Sequence, residues 1–299
     1  MTELRGVLVM NKPQGFTSFD VIGKLRGILK MRRLGHTGTL DPMAEGVLPV
    51  LVGTAARACD ILPDETKAYR AGFRLGTVTD TQDISGTVLE TGAVQATEAD
   101  LRAVIPQFTG EIMQIPPMYS AVQINGKRLY ELARAGKEIE RPARQVLVEQ
   151  ITLTAYDAAS GCGELEIVCG KGTYVRTIIH DIGKALGCGG CMTSLTRTAA
   201  CGFTLSEAHT FDEVQQAADS GTTEALIIPT DRLFSVLPAL KLSEAQTRLY
   251  RNGVRLDLTR VRGISEAASR YRVYGAEGGF LGLADVDREA GCLRVYENL

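Results

Sequence analysis

The segment Gly35-His36-Thr37-Gly38-Thr39-Leu40-Asp41-Pro42, followed by Glu45-Gly46, places one imidazole and one carboxylate on a short glycine-bearing stretch. Glycine allows unusual backbone angles and close approach of a ligand. Asp41 precedes a proline, which steers it away from helical angles. The result is an irregular loop presenting a carboxylate, a group that can attack carbon, move a proton or stabilise a cationic centre. The same residues also suit an ordinary turn in which Asp41 accepts a backbone N–H bond. Lys67-Ala68-Tyr69-Arg70 opens an alternating run whose one face carries Tyr69, Ala71, Phe73 and Leu75. A tyrosine there is core, or at the strand end a platform for stacking on a base. In Gly170-Lys171-Gly172-Thr173-Tyr174-Val175-Arg176 a strand leads through a turn into a helix. Arg176 then lies in the first helical turn, where the dipole disfavours a cation. It is a solvent-exposed arginine or the partner of a specific anion, and Asp41 is one candidate.

Other chemistries find no support. The three histidines, His36, His180 and His209, form no metal triad, and Cys188-Gly-Gly-Cys191 lacks a second ligand pair, so no metal is expected. No phosphate-loop or dinucleotide fingerprint is present, so no cofactor is expected. No second carboxylate can be assigned beside Asp41, which disfavours a hydrolytic glycosidase.

These residues need elements to hold them. Residues 5–10 read as a strand ending at the turn Asn11-Lys12-Pro13-Gln14-Gly15. Ser18 is placed to cap a helix with Phe19, Ile22, Leu25, Ile28 and Leu29 inward and Lys24, Arg26, Lys30, Arg32 and Arg33 on or beyond its other side. Residues 67–75, 146–153 and 164–169 read as strands. Thr97-x-x-Asp100 caps another helix, Lys127–Ala135 reads as helical, and Val175, Ile178, Ile179, Ile182 and Leu186 recur at helical spacing before Gly187. Strands and helices alternate without a βαβ period. This predicts an α+β fold with a mixed, largely antiparallel sheet. After Pro238 come one short helix at 243–251 and several glycine-rich short strands, a small β-rich domain.

The chain has 299 residues, enough for about two domains. Hydrophobic residues at 44% and charged residues at 23% exclude a disordered or fibrous protein. No run approaches a membrane span and no secretory leader is evident. Seven scattered cysteines suit reduced thiols and a cytoplasmic location. The net charge of −2 argues against a polyanionic partner until it is resolved along the chain. Residues 1–50, 118–150, 171–203 and 236–299 are net basic, while 60–111 and 204–235 are net acidic. An anionic ligand could therefore meet a local positive surface.

Taken together, the motifs resemble the bacterial tRNA pseudouridine synthase B (TruB) family. The matching stretches are Asn11-Lys-Pro-Gln-Gly-Phe-Thr-Ser, Gly35-His-Thr-Gly-Thr-Leu-Asp-Pro-Met-Ala-Glu-Gly-Val-Leu-Pro, Lys67-Ala-Tyr-Arg, Leu75-Gly-Thr-Val-Thr-Asp-Thr-Gln-Asp, Pro116-Pro-Met-Tyr-Ser-Ala-Val, Lys171-Gly-Thr-Tyr-Val-Arg-Thr-Ile-Ile-His-Asp-Ile-Gly and Ser194-Leu-Thr-Arg-Thr. They follow the family order across residues 5–205. The resemblance implies a pseudouridine synthase catalytic domain over 1–235, with an RNA-binding insertion near 118–150 that closes on RNA. A PUA-like RNA-binding domain would occupy 236–299. It implies isomerisation of uridine 55 in the TΨC loop of tRNA, with the T arm as partner, no cofactor, a monomer and a cytoplasmic setting.

By the same resemblance Asp41 is the catalytic aspartate, Tyr69 stacks on the target uracil and takes part in proton transfer, and Arg176 pairs with the aspartate. His36 helps hold the flipped nucleotide. Tyr174 and Leu195 line the uridine pocket, Asp83 contacts the nucleotide, and Lys12 belongs to the opening strand near the site. Lys127, Arg128, Arg134, Lys137, Arg141 and Arg144 meet RNA phosphates. A noncatalytic RNA-binding or tRNA-folding protein on the same scaffold is the alternative, favoured if Asp41 were missing.

Overall fold

A computed structural model describes residues 4–299. The chain runs β1 (Gly6–Lys12), α1 (Ser18–Leu29), β2 (Leu34–His36), β3 (Glu45–Val52) and β4 (Lys67–Leu75). A hairpin of β5 (Thr77–Thr79) and β6 (Val88–Thr91) follows, then α2 (Glu98–Val104), β7 (Gly110–Gln114), a ribbon of β8 (Gln123–Ile124) and β9 (Lys127–Arg128), and α3 (Leu129–Arg134). Next come β10 (Arg144–Asp157), β11 (Cys162–Cys169), α4 (Val175–Ala185), β12 (Gly190–Ala200), β13 (Phe203–Thr204) and α5 (Phe211–Ser220). The remainder holds β14 (Ala239–Lys241), α6 (Glu244–Arg251), β15 (Leu256–Asp257), β16 (Arg270–Tyr274), β17 (Phe280–Asp287) and β18 (Cys292–Asn298).

The central sheet has nine strands in the order β1-β3-β12-β4-β11-β10-β7, with β2 and β13 paired onto β3 and β12. Its neighbours are antiparallel except the β12–β3 pair, so the sheet is mixed and largely antiparallel. The alternation seen in residues 67–75 is realised in β4, whose odd-numbered residues are all buried. Tyr69, Ala71, Phe73 and Leu75 pack there with Leu165, Ile167, Ile178, Ile179, Ile182 and Leu195. The apolar face of α4 thus covers the middle of the sheet, and Gly187, at φ 75°, lets the chain leave the helix.

The other end of the sheet packs differently from expectation in two places. Thr17, not Ser18, caps α1: its hydroxyl accepts from Asp20 N–H while the Asp20 carboxylate accepts from Thr17 N–H. Ser18 is released for a longer reach, accepting a bond from Leu40 N at 2.8 Å. With the helix start fixed at Thr17, the inward residues are Ser18, Val21, Ile22 and Leu25, and Phe19 lies 69% exposed. On the outer face the Arg26 guanidinium carbon stands 5.9 Å from the Phe19 ring centroid. Similarly, the helical stretch expected over 127–135 begins only at Leu129, because Lys127 and Arg128 pair with Ile124 and Gln123 in a ribbon turned by Asn125-Gly126.

The last five strands form a separate sheet in the order β14-β16-β17-β18-β15 with its own core of Leu240, Leu242, Tyr250, Leu256, Val273 and Leu293. It leans on the rest of the chain through Leu283 and Phe280, which pack with Phe203, Leu233 and Phe234. Tyr274 also donates to Asp231 at 2.6 Å.

Candidate active site

The loop between β2 and β3 carries Asp41, and three contacts hold it in place. Ser18 grips the neighbouring Leu40. Lys12, fully buried at the end of β1, donates from Nζ to the carbonyls of Phe16 at 2.7 Å, Pro13 at 2.9 Å and Pro42 at 3.5 Å. Ala44 N–H closes the turn on the Asp41 carbonyl at 3.0 Å. Just beyond, Gly46 sits at φ 105°, and a β-carbon there would lie 2.3 Å from the Arg197 carbonyl. Only glycine lets β3 approach β12 so closely.

Arg176 enters from the first turn of α4. It is 5% exposed, and its Nη2 lies 3.1 Å from Asp41 Oδ2 and 3.3 Å from Oδ1. The same guanidinium donates to the Tyr119 carbonyl at 2.9 Å and the Thr81 carbonyl at 3.2 Å, and its Nη1 is 3.6 Å from Asp83 Oδ2. Five contacts around one planar fork fix its orientation. Asp83 is itself buried and accepts through Oδ1 from Thr81 Oγ1, Ser85 N–H and Ser85 Oγ. Asp83 is the second carboxylate that the sequence does not place beside Asp41. It stands behind Arg176, its Oδ1 consumed by its own loop.

Asp41 sits in a crevice with 35% of its side chain still exposed. Burial pushes its carboxyl above the ordinary carboxylate range, the Arg176 guanidinium pulls it back down, and Asp83 pushes it up again. Burial likewise lowers the Lys12 amine to about 8.

An apolar cluster adjoins the loop that carries Asp41. Tyr69, Leu40, Leu195, Val175 and the partly buried Met43 belong to one packed cluster. Tyr69 is 7% exposed, and burial pushes its phenol up to about 12 against the opposing influence of the Arg197 cation. Tyr174, half-buried, precedes α4 without a side-chain cap. Gln114 fixes it instead, accepting from Tyr174 N–H at 2.8 Å and donating to the Tyr174 carbonyl at 3.1 Å. Thr177 Oγ1, also in the first turn of α4, donates to Gln82 Oε1 at 2.7 Å, and Gln82 adopts φ 65° next to Asp83. His36 lies on β2 with its Nδ1 buried and unpartnered, and burial lowers its proton affinity.

The structure therefore brings Asp41, Arg176, Asp83, Tyr69, Leu195 and Lys12 around one crevice. His36 stands at the start of the same loop, and Tyr174 enters beside Arg176. Sequence reasoning missed Ser18 as a loop support, Gln114 and the buried Arg197. Gln114 gave no signal, since its partner is a backbone 60 positions away. Of the cations in the 118–150 segment, Lys127, Arg128, Arg134, Lys137 and Arg144 are exposed, while Arg141 is half-buried and paired with Glu138 at 3.1 Å. Residues 144–150 form the start of β10 in the central sheet.

Comparison with known proteins agrees with this architecture. The model of the TruB family pseudouridylate synthase N-terminal domain matches residues 26–175, and that of the tRNA pseudouridylate synthase B C-terminal domain matches residues 176–235. Asp41, Tyr69 and Asp83 fall in the first match and Arg176, Leu195 and Arg197 in the second, so the crevice is built from both. A relative named tRNA pseudouridine synthase B from Thiobacillus denitrificans is 45% identical over 291 residues, covering 96% of this chain and 93% of that protein. Another of the same name from Bacillus velezensis is 40% identical over 280 residues, covering 92% and 91%. Among solved structures, one described as a Cbf5-Nop10-Gar1 complex superposes with a TM-score of 0.75 at 24% identity, covering 98% of this chain and 84% of the other, a likeness of fold. The chain belongs to the TruB family of pseudouridylate synthases.

Proposed function

We propose that the protein isomerises uridine to pseudouridine at position 55 in the TΨC loop of tRNA, with the Asp41 carboxylate as the reacting group. The observation that carries this reading is the Arg176–Asp41 pair, next to the apolar cluster that holds Tyr69, Leu195 and Leu40. The relatives named tRNA pseudouridine synthase B support the substrate.

The reaction needs no outside reagent. The N1–C1′ bond breaks, the uracil turns, C5 bonds to C1′, and the C5 proton leaves as N1 gains one. An ionised carboxylate serves either by adding covalently or by stabilising oxocarbenium character at C1′. Arg176 keeps Asp41 ionised and aimed, and Asp83 holds Arg176 from behind. Tyr69 stacks on the uracil and takes part in proton transfer, while His36, Leu195 and Tyr174 border the flipped nucleotide. Lys12 acts through the loop carbonyls it binds. A uridine inside a folded loop reaches Asp41 only when flipped out of its stack.

In this reading residues 1–235 form the catalytic domain, the exposed cations between 118 and 150 meet T-arm phosphates, and residues 236–299 form a second, PUA-like RNA-binding domain. The enzyme acts as a cytoplasmic monomer without metal or cofactor. The Arg176–Asp41 pair favours this reading over a purely RNA-binding or tRNA-folding role on the same scaffold. The test is to incubate the protein with unmodified tRNA transcript and map carbodiimide-reactive pseudouridine. Product at position 55, lost when that uridine is replaced by cytidine, is expected. Product elsewhere, or none, contradicts the reading.

A further inference from the structure

Among the described residues, Arg197 is the largest fully buried side chain. It projects from β12 between β3 and β4, directly opposite Tyr69 in one register and Gly46 in the other. Its Nε donates to the Val47 carbonyl at 2.7 Å and its Nη2 to the Gly38 carbonyl at 3.2 Å. Those two carbonyls bracket the loop that carries Asp41. The remaining nitrogen, Nη1, is buried without a partner, and a β-carbon on Gly38 would come within 3.8 Å of it. Among the described residues no carboxylate lies within ion-pair distance of this guanidinium. A buried cation is costly unless paired, so an unneutralised one calls for an account. Its near neighbours include the Tyr69 phenol, whose proton affinity it lowers against burial.

We propose that Arg197 is the positioning residue of this site: its fork ties both ends of the Asp41 loop to β12, and its free charge faces the Tyr69 phenol and stabilises negative charge there during proton transfer. One guanidinium thereby sets the distance between the two groups that act on the uridine. Gly46 follows from it, since a side chain there would collide with the Arg197 backbone. Lysine would keep the charge but cannot span two carbonyls with a planar fork. The inference rests on Asp41 and Tyr69 being the groups that work on the nucleotide.

The test separates fork from charge. Arg197→Lys and Arg197→Met are compared with wild type for single-turnover pseudouridine formation and for tRNA affinity. In parallel, a fluorinated tyrosine, whose phenol is more acidic, is placed at position 69 and titrated by fluorine NMR. Arg197→Lys is expected to lower the rate roughly 100-fold through misplacement of the loop, with tRNA affinity unchanged. Its position-69 titration should stay near wild type, while Arg197→Met moves that titration up by about 1–3 pH units. A wild-type rate in Arg197→Lys overturns the positioning role, and an unmoved titration in Arg197→Met overturns the electrostatic one. Should the methionine variant not fold, the lysine variant still decides by its rate. Asp41→Asn runs beside them: if it remains active, the reading of Asp41 has failed, whereas an inactive Asp41→Asn with a fully active Arg197→Lys means that only the present inference has failed.

Discussion

The Arg176 Nη2 atom stands 3.1 Å from Asp41 Oδ2, although 135 positions separate the two residues. Neither end of this pair is free to drift. Asp41 is fixed by Ser18 and Lys12 through its neighbours, and Arg176 by Asp83 and the carbonyls of Thr81 and Tyr119. A cation at a helix N-terminus opposes the dipole there, and these partners offset that cost.

If Asp41 is the reacting group, the pair should set the acid limb of the pH profile. Burial raises the Asp41 carboxyl above 3.8 and Arg176 lowers it, so removing Arg176 must raise it further. The rate should climb with pH as Asp41 ionises. In Arg176→Met the midpoint of that climb should lie at higher pH than in wild type, with a smaller upward shift in Arg176→Lys. Single-turnover rates on tRNA across the acid range measure this, and a midpoint that does not move would count against the pairing.

Lys12 offers a stability test. Its folded pKa of about 8 lies below the ordinary 10.5. Below pH 8 both states hold the proton. Between about 8 and 10.5 the folded state sheds it first, the unfolded state binds more protons, and stability rises with pH across that window. Urea unfolding of wild type and Lys12→Met should show wild type gaining on the variant over that interval. A constant difference would refute the shift.

Much of this was legible in the sequence. Period-two burial in residues 67–75 and the Ile178, Ile179, Ile182 spacing gave β4 and α4 because burial acts on every residue of those elements. Arg176 was suspected from its awkward helix position alone. The cap of α1 was misplaced by one residue, since Thr17 and Ser18 are both good caps and only the capping box with Asp20 decides between them. Arg197 and Gln114 stayed hidden because their partners are backbone atoms far along the chain, which no local pattern marks.

Gln114 stands in for a strand partner of Tyr174. Gln114→Ala removes two hydrogen bonds and strands a backbone N–H, a cost of about 1–3 kcal/mol. Thermal or urea unfolding should register that loss, and kcat should fall with Tyr174 and Arg176 less firmly placed. Gln114→Glu, which accepts but cannot donate, should fall between. Unchanged stability in the alanine variant would show that the clamp does not contribute.

Exposed cations should meet phosphate. Affinity for tRNA should fall at least about tenfold between about 50 and 200 mM salt through counterion release. Replacing Lys127, Arg128 and Arg134 together should flatten that slope without moving the single-turnover rate at saturating protein. An undiminished slope would remove this segment from the interface.

The central claim is that the Asp41 carboxylate does the chemistry. Asp41→Asn keeps the shape and removes the charge. Pseudouridine formation at saturating protein, measured in single turnover on unmodified tRNA, should drop by a factor on the order of 10⁴ or more, the scale seen when an essential reacting group is lost. Affinity for the same tRNA should stay within a few-fold of wild type. A rate close to wild type in Asp41→Asn would contradict the account.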